Sequence, residues 1–512
     1  MLKQTDNTNP YTFREKIYLF LICILFVLFF IPTMSQSLWI DETVTYWVVK
    51  DGFWDIVYRA VHYQGQSPFY YFIVWCFIQI LGHAEWALRL PSLLSIILAC
   101  FFLYKLCLIL FDREWALFSI LCFICLLQLP LTDVANDARP YGLAVMFSTL
   151  SILCFIKWIQ TGRTKHQIEY IIFSTATCFT HILFVPILFI HFCYYFIFKE
   201  DYAKVSLKKI VLTFAIVAGC LLPNAYQLIL LIEKRELLSF APMPGIIDLL
   251  NAWFPIKLFL LLIAGFVISY IVQRRINIKI GRIRSKSFLF VLIWFFFPAF
   301  FLFIVSKIGG SSIFLSRYYS WSYPALALVI SGFVKMLDYG VSRLIVILIF
   351  PVVLILSNIV NYPTAIIEDW KSATSYINSA DVVEKGPILV WPGLIEARNE
   401  KWINDDEKQD YLLSPLSYYT LRYKKAILLP WLPNDLKLEA FLPKQDMHFI
   451  KDKDEIWLIV RNWLYINKEQ RQKKCFIQKV LEDWLKSQGF LLFEKKSFGM
   501  IIVSRFVFSS DS

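Results

Sequence analysis

Residues 255–286 read PIKLFLLLIAGFVISYIVQRRINIKIGRIRSK, and their reading decides the fold of the whole chain. The apolar run 255–273 is long enough to cross the roughly 30 Å hydrocarbon layer, which takes about 20 residues of helix. Arg274, Arg275, Lys279, Arg282, Arg284 and Lys286 follow at once, the strongest cluster of positive charge between apolar runs. Short loops rich in Lys and Arg face the cytoplasm. This loop therefore fixes the side from which the other crossings are counted.

Working outward from it, the first apolar run, Ile17 to Met34, follows Arg14 and Lys16. Pro32-Thr33-Met34-Ser35 lacks the small-residue pattern of a cleavage site, so this run reads as an uncleaved first span with a cytoplasmic N-terminus. Further spans are expected near 91–111, 116–132, 140–157, 168–180, 182–198, 210–232, 255–273, 287–306, 318–334 and 344–360, about eleven in all. Arg113, the group Lys157/Arg163/Lys165 and the group Lys199/Lys204/Lys208/Lys209 then all fall inside. Two segments decide the parity. Pro68 to Gly82 is short for a span and reads as a juxtamembrane or re-entrant helix in one outer loop, 35–89. The run 168–198 reads as two short helices turning near His181.

Composition agrees. The chain is 58% apolar and 18% charged, with a mean hydropathy of +0.58. Soluble domains run near 45–50% and about 25%. A net charge of +12 suggests nucleic acid, but much of the basic charge sits in loops between apolar runs, so no nucleic-acid partner is expected. Ten of the eleven Cys lie in apolar segments, where Cys packs as a small hydrophobe. The chain reads as mainly α, a polytopic bundle in the plasma (inner) membrane over residues 1–360. After Val360 short apolar runs (Pro387–Trp391, Ala426–Trp431, Glu455–Val460 and Met500–Phe508) alternate with a helix-like stretch near 477–485. Residues 361–512 are thus expected to form a small α/β domain outside the cytoplasm.

Chemistry-bearing residues gather in the outer loops. Asp41 and Glu42 stand together just past the first span, where adjacent carboxylates suit a general base or a cation site; a solvated loop start is the bland alternative. Asp137 and Arg139 close a tight outer turn ahead of Pro140 and Tyr141. An Arg there can grip phosphate with its fork, or pair with a neighbouring acid. Thr180-His181 sits at an outer turn, and Arg317 with Tyr318 begins the tenth span.

Taken in order, Asp41-Glu42-Thr43, Glu85-Trp86-Ala87-Leu88-Arg89, Asp137 with Ala138-Arg139-Pro140-Tyr141, Thr180-His181, Arg317-Tyr318 with Pro324, and Asp369-Trp370-Lys371 resemble the GT-C membrane glycosyltransferases. The nearest branch is family 39-like, with the protein O-mannosyltransferases, the lipid A aminoarabinose transferase and the lipopolysaccharide-core transferases. The resemblance implies a polyprenyl-phosphate-linked sugar as donor, a lipid, glycan or protein hydroxyl as acceptor, and inversion at the anomeric carbon. It assigns Asp41 as base and Glu42 as a positioning carboxylate. Arg139 and Arg317 become phosphate ligands and Asp137 a second carboxylate, with Tyr141 and His181 in the motifs beside them. A divalent metal ion, held by Asp41 and Asp137 if one is used, stays open. The sequence departs from the family at Gln66-Ser67-Pro68, where many relatives carry a basic residue; His62, Arg59 or Arg139 would then meet the donor phosphate. A transporter or flippase of lipid-linked sugars is the alternative reading.

Overall fold

The computed structural model describes residues 12–127, 134, 136–233, 241–254, 285–336, 368–380, 386–398, 400–422, 426–431, 454–462 and 468–509, with single positions within 263–271 and 345–352. Asp133, the loop 274–284 and most of the expected spans 255–273 and 344–360 lie outside the described residues. The first helices are α1 (Phe13–Phe30), α2 (Ile40–Val49), α3 (Phe53–His62), α4 (Phe69–Leu81), α5 (Glu85–Leu110), α6 (Arg113–Leu126) and α7 (Tyr141–Thr161). Next come α8 (Thr164–Thr180), α9 (Ile187–Tyr202), α10 (Leu207–Cys220), α11 (Leu222–Glu233), α12 (Ile246–Trp253), α13 (Ser285–Gly309) and α14 (Tyr323–Lys335). Two compact units result. One comprises Met1–Met34, Val57–Gly82 and Trp86–Tyr362, the other Ser35–Ile56, His83–Glu85 and Pro363–Ser512. The loop expected at 35–89 is thus shared between them.

The first unit is a helical bundle. Among the described residues α5, α7, α13 and the stretch Ile182–Tyr202 are long and apolar enough to cross a membrane. α10 and α11 are long and apolar enough only as a pair, which is bent by 58°. The apolar window of α7 is 89% buried against 39% for that of α13, which makes α7 the helix the others pack around. Small and hydroxylated residues allow this closeness. A Cβ on Gly142 would stand 3.0 Å from the Val134 carbonyl and 3.2 Å from that of Ser92. Ser151 and Ser174 share a hydrogen bond of 2.7 Å between α7 and α8.

Polar clamps mark the two ends of α1. At its start, Arg113 donates to Glu15 at 2.7 Å, and Glu114 receives both Arg14 and Lys335. At its far end, Arg89 donates to the carbonyls of Thr33 at 2.8 Å and Met34 at 3.3 Å. The end of α1 and the start of α5 are therefore tied together. α4, with 13 residues, spans roughly 20 Å at 1.5 Å per residue. Region 168–198 forms the expected pair of helices. α8 stops at Thr180, His181 is extended with φ −157, and a 3-10 turn at Ile182–Phe184 leads into α9.

The second unit is built on a sheet of β1 (Ile388–Trp391), β2 (Ala426–Leu428), β3 (Glu455–Arg461), β4 (Phe490–Phe498) and β5 (Ile501–Phe508). Its order is β2-β1-β3-β5-β4, with β1 parallel to β2 and β3, and β5 antiparallel to β3 and β4. Helices cover both faces. α15 (Trp370–Ser379) sets Trp370, Ala373 and Ile377 on Val390, Trp457 and Val503. The long helix Lys468–Ser487 sets Leu481 and Leu485 on Leu389, Leu458 and Phe506. β3 is buried along its whole length, as a central strand covered on both sides must be. Gly386 permits the entry to β1, because a Cβ there would stand 2.0 Å from the Glu455 carbonyl oxygen. The short helices Asp406–Leu412 and Ser414–Tyr418 complete this unit together with α2. A mainly helical bundle with a small C-terminal α/β domain is the expected class.

Candidate active site

The helical unit assembles a cationic, aromatic cluster from three separate stretches. The turn before α7 brings Asp137 and Arg139, and Pro140 starts the helix with Tyr141 as its first residue. Asp137, Arg139 and Tyr141 are all buried. The Arg139 carbonyl accepts from the Ser92 hydroxyl at 3.1 Å, which ties the turn to α5. Its guanidinium Nη1 donates to Gln64 Oε1 at 3.3 Å. The break between α8 and α9 brings His181, and the 3-10 turn Ser316–Ser322 brings Arg317 and Tyr318.

The rings of Tyr141, His181 and Tyr318 pack mutually, with centroids 5.2 to 6.0 Å apart. The Arg317 guanidinium lies 5.8 Å from the Tyr141 ring and 5.5 Å from that of Tyr318. His181 Nδ1 accepts the Leu183 amide at 3.3 Å, which leaves the proton of the neutral ring on Nε2. Burial pushes the His181 pKa down to about 3, and the charges of Arg139 and Arg317 act in the same direction. The imidazole is therefore a neutral donor at physiological pH, beside two guanidiniums. Such a group of donors suits an anion with several oxygens, phosphate above all.

Arg59 and His62 close the last turn of α3, where His62 packs against Tyr58 at 4.7 Å and Tyr226 at 6.4 Å. Gln66 donates its backbone N–H to the Ala60 carbonyl at 2.9 Å, and its side chain accepts from Tyr71. Gln66, Ser67 and Pro68 thus follow directly on Gln64, which reaches Arg139. Gln227 on α11 supports the same loop by donating to the Gly65 carbonyl at 2.7 Å. Neither Gln64 nor Gln227 was singled out from sequence. Asn224 and Gln227 in an otherwise apolar helix were the available signal, since polar side chains at membrane depth are costly unless used.

Asp41 and Glu42 belong to the second unit, in the first turn of α2. Glu42 is fully buried, and its Oε2 accepts the Trp39 amide at 3.2 Å, so it caps its own helix. Asp41 is half-buried. Among the described residues no group of three or more His, Cys, Asp or Glu side chains is arranged to hold a metal ion.

Residues 65–226 match the family described as dolichyl-phosphate-mannose-protein mannosyltransferase. That stretch contains Asp137, Arg139, Tyr141 and His181. Among solved structures the fold is similar to ArnT from Cupriavidus metallidurans bound to undecaprenyl phosphate. The TM-score is 0.52 at 11% identity, covering 96% of this chain and 98% of that one. The apo form of ArnT gives 0.51 at 11% identity, with 96% and 98% covered. AglB from Archaeoglobus fulgidus, an archaeal oligosaccharyltransferase in complex with an inhibitory peptide and a dolichol-phosphate, aligns at 0.46 and 11% identity over 97% of this chain and 74% of that one. Comparison with curated proteins gives no match.

The family model covers 65–226, about a third of the chain, and the likeness to ArnT is one of fold, along nearly the full length of both.

Proposed function

We propose that this protein transfers a sugar from a polyprenyl phosphate to a hydroxyl of a lipid, glycan or protein at the outer face of the plasma membrane, inverting the anomeric carbon. The observation that carries the reading is the pairing of Arg139 and Arg317 around neutral His181 and the rings of Tyr141 and Tyr318. In the proposed reaction Asp41 takes the proton of the acceptor hydroxyl as its oxygen attacks the anomeric carbon. The bond from that carbon to the phosphate oxygen breaks, and its electron pair leaves with the polyprenyl phosphate. A phosphodiester with one charge becomes a monoester with two. Arg139 and Arg317 offset the added charge, and the Nε2 proton of His181 supplies a further donor. Asp137 orients the sugar, and Tyr141 forms the wall against which it lies. Arg59 and His62 flank the path of the lipid phosphate. The N-terminus is assigned to the cytoplasm and the sheet unit to the outside, since the basic loops then share one side.

ArnT with bound undecaprenyl phosphate supports a lipid-phosphate donor through its common fold. A transporter of lipid-linked sugars would be favoured by interrupted helices in paired halves. The described residues contain a single bent pair, α10 with α11. The test is transfer of radiolabelled sugar from a synthetic polyprenyl phosphate by purified protein in nanodiscs, with extracted envelope lipids, glycans and proteins as acceptors. Labelled product supports the reading. Translocation of intact donor without product would replace it by the transporter.

A further inference from the structure

The helix that carries Asp41 is short, and helices of this length are marginal by themselves. Its supports come from a distant part of the chain. The Ile40 amide, at the first position of α2, donates to Glu368 Oε2 at 3.0 Å. The Leu38 amide donates to the Tyr419 hydroxyl at 2.8 Å, and the Ser37 hydroxyl accepts the Lys371 amide at 3.2 Å. Further along, Thr43 meets Ser414 at 3.2 Å, and Trp47 Nε1 donates to Asp410 at 2.7 Å. Lys50 reaches the same carboxylate. Burial opposes ionisation of Asp410, but hydrogen bonds from Lys50, Ser417 and Trp47 outweigh it and hold its carboxyl below the usual range. Each turn of α2 is thus fastened to residues 368–371 or 410–419.

Glu368 is the strongest of these fastenings. It is 2% exposed, and its Oε1 receives Arg461 through Nε at 2.7 Å and Nη2 at 2.6 Å. Its Oε2 serves Trp370 Nε1 at 3.1 Å as well as Ile40. Arg461 ends β3, the buried central strand, so one carboxylate joins the sheet to the first amide of the Asp41 helix. Buried ion pairs add little net stability, because desolvating both charges offsets their attraction. Geometry is the better reason for this one.

We propose that the C-terminal unit positions Asp41 for catalysis, and that Glu368 is its chief positioning residue. This rests on the assignment of Asp41 as the base. A displacement of about 1 Å at a reacting group can cost on the order of 100-fold in rate. The sheet unit then has a defined job in the transfer reaction, holding α2 in a fixed orientation on its own core while donor and acceptor come and go.

The test uses the full chain in nanodiscs, with wild type, Glu368→Gln, Tyr419→Phe, Asp41→Asn and the exchange Glu368→Arg with Arg461→Glu. Glu368→Gln is expected to lower kcat by about 10- to 100-fold and leave KM for the polyprenyl-phosphate sugar within about threefold. Amide exchange is expected to quicken over 38–45, while β3 and β5 stay protected. Tyr419→Phe keeps the buried ion pair and guards against a folding failure. It is expected to show the same pattern, reduced to about a 3- to 10-fold loss. The charge exchange restores an ion pair without restoring the acceptor for Ile40, and it is expected to remain slow. Unchanged exchange over 38–45 in Glu368→Gln and Tyr419→Phe overturns the clasp. Quickened exchange with full turnover, while Asp41→Asn is inactive, overturns its role in catalysis, and so does full recovery by the charge exchange. Full turnover in Asp41→Asn removes the base assignment instead, and the exchange data still decide whether Glu368 holds the helix.

Discussion

Replacing Arg139 by Ala removes one guanidinium from the cluster at the start of α7. Arg139 is 6% exposed, so its charge is only weakly screened by water. A hydrogen bond to a charged partner is worth about 1.5–3 kcal/mol, and on bond cleavage the phosphate gains a full negative charge. At 1.36 kcal/mol per tenfold in rate, that range converts to a loss of about 10- to 150-fold in kcat/KM. Part falls on donor binding, because the ground-state phosphodiester already carries one charge, and the rest falls on kcat. The fold is expected to survive, since the Ser92 bond is made to the backbone carbonyl and is kept when the bond to Gln64 is lost. Arg139→Lys keeps the charge and loses the fork, so its loss is expected to be intermediate. The assay is steady-state transfer from a synthetic polyprenyl-phosphate sugar, with donor affinity measured separately by titration. A kcat/KM within twofold of wild type, with unchanged donor affinity, would refute the phosphate role.

Two further outcomes are expected. His181 has a folded-state pKa near 3 against an ordinary value of 6.5. Its contribution to stability is complete above 6.5 and is lost as the pH falls from there towards 3. Melting curves from pH 8 to pH 4 are expected to show wild type losing more than His181→Gln, and parallel curves would remove the buried neutral ring from the account. Gly386→Ala places a Cβ 2.0 Å from the Glu455 carbonyl oxygen and must move β1 or β3, at an expected cost of about 1–3 kcal/mol or more. Limited proteolysis is expected to cut this variant in the sheet unit while sparing the bundle; wild-type resistance would show that the strand entry is looser than described.

Much of this architecture was legible because membrane helices announce themselves locally. Hydropathy located α5, α7 and α13, and the break at His181 followed from a run too long for one span. Strands β1, β2, β3 and β5 were visible as short apolar runs. β4 was not, because a bulge between Leu492 and Glu494 and an exposed edge disrupt the alternation that marks a strand. The sequence singles out Arg139, Tyr141, His181 and Arg317, and the structure adds that they lie together. What sequence could not give was the attachment of α2. The bond from Ile40 to Glu368 spans 328 residues, and nothing local announces such a pairing. Glu42 shows the same limit: the sequence sets it beside Asp41 as a positioning carboxylate, and the structure adds that it is buried and accepts the Trp39 amide.

The most direct test of the central claim compares wild type with Asp41→Asn in single-turnover transfer from a preloaded donor. A general base contributes about 10²- to 10⁴-fold, so transfer is expected to fall by that factor while donor affinity stays within about threefold. Transfer at the wild-type rate would contradict the account, whatever the arginine variants showed.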